Sequence, residues 1–389
     1  MIDMKKTTTI PIGPQHPALI EPEYLKVSVD GETIVDVDIQ LGYIHRGIER
    51  LMQDRNYVQN IFVAERMCGI CSGAHTVTYS MAVENLIGDV EVPLRAKYIR
   101  TIILELERLH SHLLWAGVAG YEIGIDTVFM SAWKDREYVM DLLEQISGNR
   151  VNYGMSTIGG VRRDVSSEII TKIEKVMDVV SKRADYYADV FLNDKVIVAR
   201  TEGIGKLDRA DAEKFSAVGP TLRACGFDYD IRKEGYAAYG DVEWEPVVAK
   251  NGDVQAKAIV RLGEVKVSAS IIRQCVSKMP KGDIRVKVAP NVSENEAVAR
   301  IEAPRGELFY YARSNGSDKP ERVRIRTPTY SNILTLKPTL IGQQLADLPI
   351  IVAAIDPCFA CTDRVALVDV NKGDEKVVDG SYFRKIDRG

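Results

Sequence analysis

Apolar and polar residues alternate through much of the first 45 positions, which is the two-residue period of β-strands. The alternating runs 24–29 and 32–39 flank Asp30-Gly31, and Asp-Gly between two such runs is a strong hairpin signal. The Gly-Pro-Gln-His-Pro run at 13–17 must form a loop ahead of them. Residues 1–50 are therefore predicted to contain a small antiparallel β-sheet.

The apolar period changes to three and four residues between Leu94 and Trp115, as on one face of a helix. Similar patterns predict further helices at 134–146, 166–192, 211–222 and 265–279. Three long helices in sequence suggest a central antiparallel bundle, with residues 94–222 as a helical core. Residues 226–254 are rich in turn formers and are expected to be irregular.

The C-terminal third combines a β-rich segment with short apolar runs. Val286, Val288 and Ile301 fall among turn residues and predict strands around 284–311. The apolar run from Leu348 to Ile355 is short enough to be a buried strand or a turn. The predicted fold class is α+β and mainly α, with the helical bundle between two small β-rich parts.

Composition excludes several functional classes. The 389 residues are 46% hydrophobic and carry a net charge of −4 without a long run of one sign. No basic stripe indicates a nucleic-acid partner. The N-terminal residues lack the apolar core of a signal peptide. No apolar run approaches the ~18–20 residues of a membrane-spanning helix. The chain is expected not to cross a membrane, although it could dock onto proteins that do.

Four of the six cysteines form two Cys-x-x-Cys pairs, Cys68/Cys71 and Cys358/Cys361. This spacing suits metal binding in a reducing compartment better than a secreted disulfide framework. Nickel, zinc, iron and copper(I) all accept such thiolates, and structural zinc is the commonest outcome. The pairs lie 287 positions apart, so only the whole folded chain can bring them together. We therefore predict one domain over residues 1–364, in which residues 284–364 close a buried metal site, followed by a tail at 365–389.

The segments around the two pairs, 65–75 and 356–364, resemble the signature motifs of the large subunit of nickel–iron hydrogenases. Residues 13–17, 42–49, 159–163 and 271–274 resemble the energy-converting, membrane-associated branch of that family. This branch is related to the quinone-site subunit of respiratory complex I, which is similar over most of these segments but lacks the cysteine pairs. The resemblance extends over nearly the whole chain and favours a hydrogen-active protein over structural zinc.

The resemblance implies a centre of two metals. Nickel would bind all four cysteines, with Cys68 and Cys358 as terminal ligands. Iron carrying carbon monoxide and cyanide would share Cys71 and Cys361 with the nickel.

Several other residues receive roles from the resemblance. Glu21 is expected to accept the proton released when dihydrogen is split, with Glu23 as second candidate and a solvated surface acid as the alternative. Arg305 would lie over the open metal face, although it could also be an ordinary strand-edge arginine. Asp356 would orient Arg305, or could serve only turn chemistry.

The remaining assignments concern the surroundings of the cysteines. His75 is expected to donate a hydrogen bond to a bridging sulfur, or else to be structural. Arg66 would position the diatomic ligands or the cysteine loop, with a buried ion pair as the alternative. Glu49 matches the carboxylate that binds a magnesium or iron ion in many hydrogenases. In those hydrogenases a histidine three residues after the last cysteine also binds the ion, but this position is Arg364 here. The difference argues against the additional ion and suggests a Glu49–Arg364 pair.

The resemblance also implies maturation and partners. A specific protease would cut between Arg364 and Val365 after nickel-insertion proteins have loaded the site, unless the tail is permanent. An iron–sulfur small subunit would pass electrons to or from ferredoxin, and membrane ion-translocating subunits would hold the assembly at the cytoplasmic side of the membrane. The alternatives are a complex I-like or sulfur-reducing subunit without hydrogenase activity, and a zinc-bound interaction protein.

Overall fold

The N-terminal residues form a three-stranded antiparallel sheet. This computed structural model describes residues 7–17, 19, 21–288 and 291–362, and the backbone of 367–368 and 375–376. The strands, in the order β1-β2-β3, are Thr8–Ile12, Tyr24–Asp30 and Thr33–Gln40. Gly31 makes the β2–β3 turn with a positive φ of 62°. Leu25, Val27 and Val29 alternate inward and are buried, so the predicted hairpin is confirmed.

Four long helices form the central bundle: α4 (Leu94–Ile123), α5 (Asp126–Ser147), α6 (Ser167–Asn193) and α10 (Val254–Lys278). Helix α4 packs against α5 and α10, and α6 packs against the same two helices. The prediction started α10 eleven residues too late. Its first turns carry Lys257, Arg261 and Glu264, which are fully buried and interrupt the apolar pattern. Asp253 caps this start by accepting a hydrogen bond from Ala256 N at 2.7 Å.

Shorter helices surround the bundle. They are α1 (Ile48–Asp54), α2 (Gln59–Glu65), α3 (Ser72–Ile87), α7 (Lys195–Thr201), α8 (Arg209–Lys214), α9 (Gly219–Arg223), α11 (Pro328–Asn332), α12 (Leu336–Leu340) and α13 (Leu348–Ala354). Single 3-10 turns lie at Ile231–Glu234, Tyr239–Asp241, Ile333–Thr335, Leu345–Asp347 and Phe359–Cys361.

Two local predictions were wrong. The helix predicted at 211–222 is broken between α8 and α9, where Ser216 and Gly219 have positive φ values of 53° and 65°. A Cβ on Gly219 would lie 2.4 Å from the carbonyl oxygen of Arg305, so this close approach requires glycine. The Leu348 run forms helix α13 and not a strand or a turn, because a short buried helix can be apolar on every side.

A second antiparallel sheet precedes the last cysteines. Its strands, in the order β6-β7-β8, are Asn295–Ala303, Gly306–Ser314 and Pro320–Arg326. The predicted β-rich segment is confirmed, although Val286 and Val288 lie outside its strands. Two-residue strands pair as β4 (Ser156–Thr157) with β5 (Gly160–Val161), and β9 (Leu367–Val368) with β10 (Glu375–Lys376). The fold is mainly α with small antiparallel sheets, as predicted.

A buried charge network supports the turn between β6 and β7. Arg108 of α4 donates to the carbonyl oxygens of Glu302 at 2.7 Å and Ala303 at 3.2 Å. Arg223 bridges Glu264 and Glu302, at 2.7 Å to each. These side chains are at most 1% exposed, and the pairing offsets the large desolvation cost of burying their charges. The network therefore anchors the turn that carries Arg305.

Candidate metal centre

The two cysteine pairs meet at the centre of the fold. Cys68 and Cys71 lie in the loop between α2 and α3, and Cys358 and Cys361 follow α13. The Sγ atoms of Cys68 and Cys358 are 3.2 Å apart, and those of Cys71 and Cys361 are 3.9 Å apart. All four cysteines are buried as free thiols. The structure thus brings together the four residues predicted as ligands.

The donor set fits a soft metal. The sulfurs of Cys68, Cys358 and Cys361 lie within 4.8 Å of one another, and so do the donor atoms of Cys71, His75 and Cys361. Cys361 belongs to both groups and therefore lies between them. Thiolate sulfur is the donor that nickel, iron and zinc accept readily. Hydrogen bonds from the other three thiols lower the pKa of Cys68 well below its usual value, so the cluster favours a thiolate.

Hydrogen bonds from distant elements hold the second cysteine loop in place. Cys358 N donates to Thr329 Oγ1 at 3.1 Å, and Thr327 Oγ1 donates to the carbonyl oxygen of Cys361 at 2.8 Å. Both threonines lie at the start of α11, directly after β8. The position of this loop therefore depends on the second sheet.

Glu21 contacts the same loop. Its Oε2 accepts a hydrogen bond from Ala360 N at 2.9 Å, and its Oε1 lies 3.9 Å from the Sγ of Cys358. Burial raises the pKa of Glu21 above its usual value. Glu23 is buried, and its carboxylate accepts from Tyr24 N at 3.3 Å. Burial raises the pKa of Glu23 to about 7. Of these two acids, Glu21 is the one in contact with a cysteine.

Arg305 and Asp356 form a buried ion pair beside the cysteines. Nη2 of Arg305 donates to Asp356 Oδ1 at 2.6 Å, and Nε donates to the Asp356 carbonyl oxygen at 2.7 Å. Nη1 reaches Ser111 Oγ on α4 at 3.2 Å. Burial lowers the pKa of Arg305, but Asp356 and the cysteine sulfurs together raise it by more, so the net shift is upward. The guanidinium therefore remains charged.

His75 lies one helical turn after Cys71 and is fully buried. Its Nε2 is 3.7 Å from the Sγ of Cys361, and its Nδ1 is 2.7 Å from the hydroxyl of Tyr310. Burial lowers the pKa of His75 to about 4, so the ring is neutral near pH 7. Tyr310, which the sequence did not single out, fixes the ring orientation.

For two predicted site residues, no side-chain hydrogen bond to the four sulfurs is found in the described part of the chain. The side chain of Arg66 is exposed at the end of α2, and its carbonyl oxygen accepts a hydrogen bond from Arg46. Glu49 accepts from Arg324 at 3.1 Å and from Ile325 N at 2.9 Å. The suggested partner Arg364 lies outside the described residues.

Arg46 joins the two cysteine loops and was not predicted as a site residue. Its guanidinium donates to the carbonyl oxygens of Arg66 at 2.9 Å, Met67 at 2.7 Å and Ala360 at 2.9 Å. The first two precede Cys68, and the third lies between Cys358 and Cys361. One five-donor group thus connects both halves of the cluster.

Replacing Arg46 with glutamine is expected to loosen both loops. Each hydrogen bond from a charged group contributes about 1.5–3 kcal/mol, and 1.4 kcal/mol corresponds to a tenfold change in an equilibrium. Alkylation of the four thiols in metal-free protein should therefore accelerate at least about tenfold. Arg50→Gln, which removes a half-exposed arginine that bonds Gln53 and Asp54 on α1, should leave the alkylation rates unchanged. Equal rates in both variants would contradict the role of Arg46.

Within the described part of the chain, no helix is both long and apolar enough to cross a membrane.

Comparisons with known proteins give matches to two family models and to individual proteins. Residues 122–293 and 285–364 match the family described as the respiratory-chain NADH dehydrogenase 49-kDa subunit, and residues 46–116 match nickel-dependent hydrogenase. The chain is 44% identical to the membrane-bound hydrogenase subunit alpha of Pyrococcus furiosus, over 93% of this chain and 89% of that protein. It is 41% identical to the carbon monoxide-induced hydrogenase of Rhodospirillum rubrum, over 92% and 99% of the respective chains.

A solved structure is also similar. A chain in the structure of the membrane-bound sulfane sulfur reductase, an archaeal respiratory membrane complex, superposes with a TM-score of 0.88 at 34% identity. The match covers 94% of the present chain and 100% of the other. The similar proteins thus include hydrogen-active and sulfur-reducing complexes.

Proposed function

The chain belongs to the family of the large subunits of energy-converting, membrane-associated nickel–iron hydrogenases, related to the quinone-site subunit of complex I. It is accordingly a subunit of an oxidoreductase, and on that premise we propose that it interconverts dihydrogen with protons and electrons. The observation that carries this proposal is the convergence of four buried free thiols with a carboxylate and a guanidinium beside them.

The four cysteines would hold the metals. Nickel would bind Cys68, Cys71, Cys358 and Cys361, and iron with its carbon monoxide and cyanide ligands would share Cys71 and Cys361. The position of Cys361 in both donor groups supports a bridging role. A bound nickel–iron centre would supply the heterolytic activation of dihydrogen. A magnesium ion at Glu49 is not proposed, because Arg324 and Ile325 N already engage that carboxylate.

The protein's own groups would manage proton and charge. Glu21 would exchange a proton with the sulfur of Cys358 while Ala360 N holds its other oxygen. Arg305, fixed by Asp356, would keep a positive charge beside the cluster. His75 would donate from Nε2 to Cys361, while Nδ1 of the same neutral ring accepts from the Tyr310 hydroxyl.

Electrons would leave through a partner. The two cysteines outside the cluster, Cys225 and Cys275, are separate and buried, so the chain offers no second thiol cluster for an iron–sulfur relay. We propose an iron–sulfur small subunit that exchanges electrons with ferredoxin, and membrane ion-translocating subunits at the cytoplasmic face. Similarity to subunits of membrane-bound complexes supports this arrangement.

Infrared spectroscopy with elemental analysis tests the proposed function. The purified, matured complex should contain nickel and iron, show carbonyl and cyanide bands, and evolve dihydrogen. Zinc without nickel would favour a structural site. Sulfur reduction without dihydrogen evolution or the diatomic bands would favour the sulfur-reducing relative and overturn the hydrogenase proposal.

Proteolytic maturation gives a second expected outcome. The mass of the active subunit should correspond to cleavage between Arg364 and Val365, which the resemblance to the family implies once nickel is loaded. These two residues lie outside the described part of the structure. An intact C-terminus at Gly389 in active enzyme would contradict the cleavage.

A further inference from the structure

Arg261 is a buried cation whose hydrogen-bonding capacity is largely unused. It lies on α10, is fully buried, and its guanidinium lies 4.6 Å from the ring centroid of Trp115. Nη1 donates to the carbonyl oxygen of Lys257 at 3.1 Å. Nε and Nη2 have no hydrogen-bond partner among the described residues. Donors buried in this way are costly unless something accepts from them.

Asp356 has a buried acceptor atom that lacks a donor, which complements the donors of Arg261 that lack an acceptor. Its Oδ1 accepts from Arg305 at 2.6 Å, whereas its buried Oδ2 has no hydrogen-bond partner among the described residues. A carboxylate with one oxygen held can still rotate about its last bond. Among the described residues, the carboxylate of Asp356 is therefore held at one of its two oxygens only, by Arg305.

Two shared contacts place Arg261 next to Asp356. Trp115, under the Arg261 guanidinium, donates from Nε1 to the Ala353 carbonyl oxygen at 2.7 Å. Asp356 N donates to that same oxygen at 2.9 Å. One helical turn earlier on α4, Ser111 accepts from Arg305. The two arginines thus follow one face of α4, with Asp356 beside both.

The electrostatics agree with this placement. Burial lowers the pKa of Arg261 to about 10, and among nearby charges Asp356 opposes that shift most strongly. The guanidinium therefore remains protonated near pH 7. No carboxylate in the described residues lies within ion-pair distance of Arg261, so none of them forms a direct ion pair with its charge.

We propose that Arg261 is a positioning residue, which holds Asp356 Oδ2 through an ordered water and so keeps Asp356 aligned on Arg305. Water fits because the site offers both donors and an acceptor. A bare anion would accept from Arg261 but would be repelled by Asp356. Only the consequence for dihydrogen turnover rests on the proposed function; the structural part does not.

A high-resolution structure of the wild-type complex provides the first test. It should show a water within hydrogen-bond distance of both Asp356 Oδ2 and a free nitrogen of Arg261. An anion in that position, or a site in which neither group is bridged, overturns the proposal. This arm requires no variant and no enzymatic activity.

Hydrogen exchange in the intact complex provides the second test. Arg261→Met keeps the stem over Trp115 but removes the donors, and the Asp356 amide should then exchange about tenfold faster. Lys257→Met is the matched control. It removes an equally buried cation one turn away, whose Nζ donates to the Gly205 carbonyl oxygen at 3.1 Å. Acceleration in both variants alike, or in neither, overturns the proposal. Arg261→Gln, which retains donors, should fall between wild type and Arg261→Met.

A double-mutant cycle links the residue to turnover. Arg261→Met alone should slow dihydrogen evolution about tenfold, and should add less than twofold in an Asp356→Asn background, because its effect passes through Asp356. Additive losses overturn the positioning role. A wild-type complex without hydrogenase activity would refute the proposed function instead. The hydrogen-exchange measurement and the high-resolution structure would still test whether Arg261 positions Asp356.

Discussion

Replacing Glu21 with glutamine is expected to slow dihydrogen evolution by about 10²–10⁴-fold, the usual contribution of a positioned proton-transfer group. The carboxylate lies 3.9 Å from the Sγ of Cys358 and is the acid that contacts the cluster. An amide has the same shape but cannot take up the proton. Its oxygen can still accept from Ala360 N, as Oε2 does at 2.9 Å. The loop and the nickel content should therefore be preserved.

Glu23→Gln is the matched control for this experiment. Glu23 is two residues away and buried, but its carboxylate is bonded to Tyr24 N. Steady-state dihydrogen evolution and nickel content, measured together in both variants, separate proton transfer from metal loss. Full activity in Glu21→Gln with severe loss in Glu23→Gln would transfer the proton role to Glu23. Loss of nickel in Glu21→Gln would show that its bond to the cysteine loop is its main contribution.

The bounds of helix α6 were predictable from the sequence, whereas helix α3 and the start of α10 were not. Helix α6 presents one face to the core, so its apolar residues follow the helical period and its predicted bounds were within one residue of Ser167–Asn193. Helix α3 is buried on almost every side and has no polar face to reveal it. In α10 the buried ions hide the period. Single-sequence patterns fail where a helix is surrounded by protein or carries charge inward.

The ligands were predictable from side-chain chemistry, and their supports were not. The Cys-x-x-Cys spacing and the flanking residues can be read directly from the sequence, and the structure brings all four thiols together. Arg46 acts on backbone carbonyl oxygens, which every residue possesses, so no partner residue could signal it. Tyr310 and Ser111 reach the site only through the packing of β7 and α4. Contacts of this kind depend on the tertiary fold.

Replacing Arg305 with lysine is expected to reduce dihydrogen turnover by about 10²–10³-fold, the range for loss of a preorganised donor beside developing charge. Lysine keeps the charge but not the planar fork. Arg305 uses that fork to reach the Asp356 carbonyl oxygen, Asp356 Oδ1 and Ser111 Oγ together. A single ammonium cannot hold all three, so the charge would no longer be fixed beside the sulfurs.

The cysteines themselves are untouched by Arg305→Lys, so nickel and iron contents should remain at wild-type values while turnover falls. Arg300→Lys is the matched control. It lies on the same β6–β7 hairpin, but Arg300 is exposed and pairs with Glu234 and Glu307, where exposed ion pairs contribute little. Turnover near wild type in Arg305→Lys would show that charge alone suffices. Loss of metal in that variant would instead make Arg305 a support of the Asp356–Cys358 loop, because the three bonds it makes would then serve assembly and not turnover.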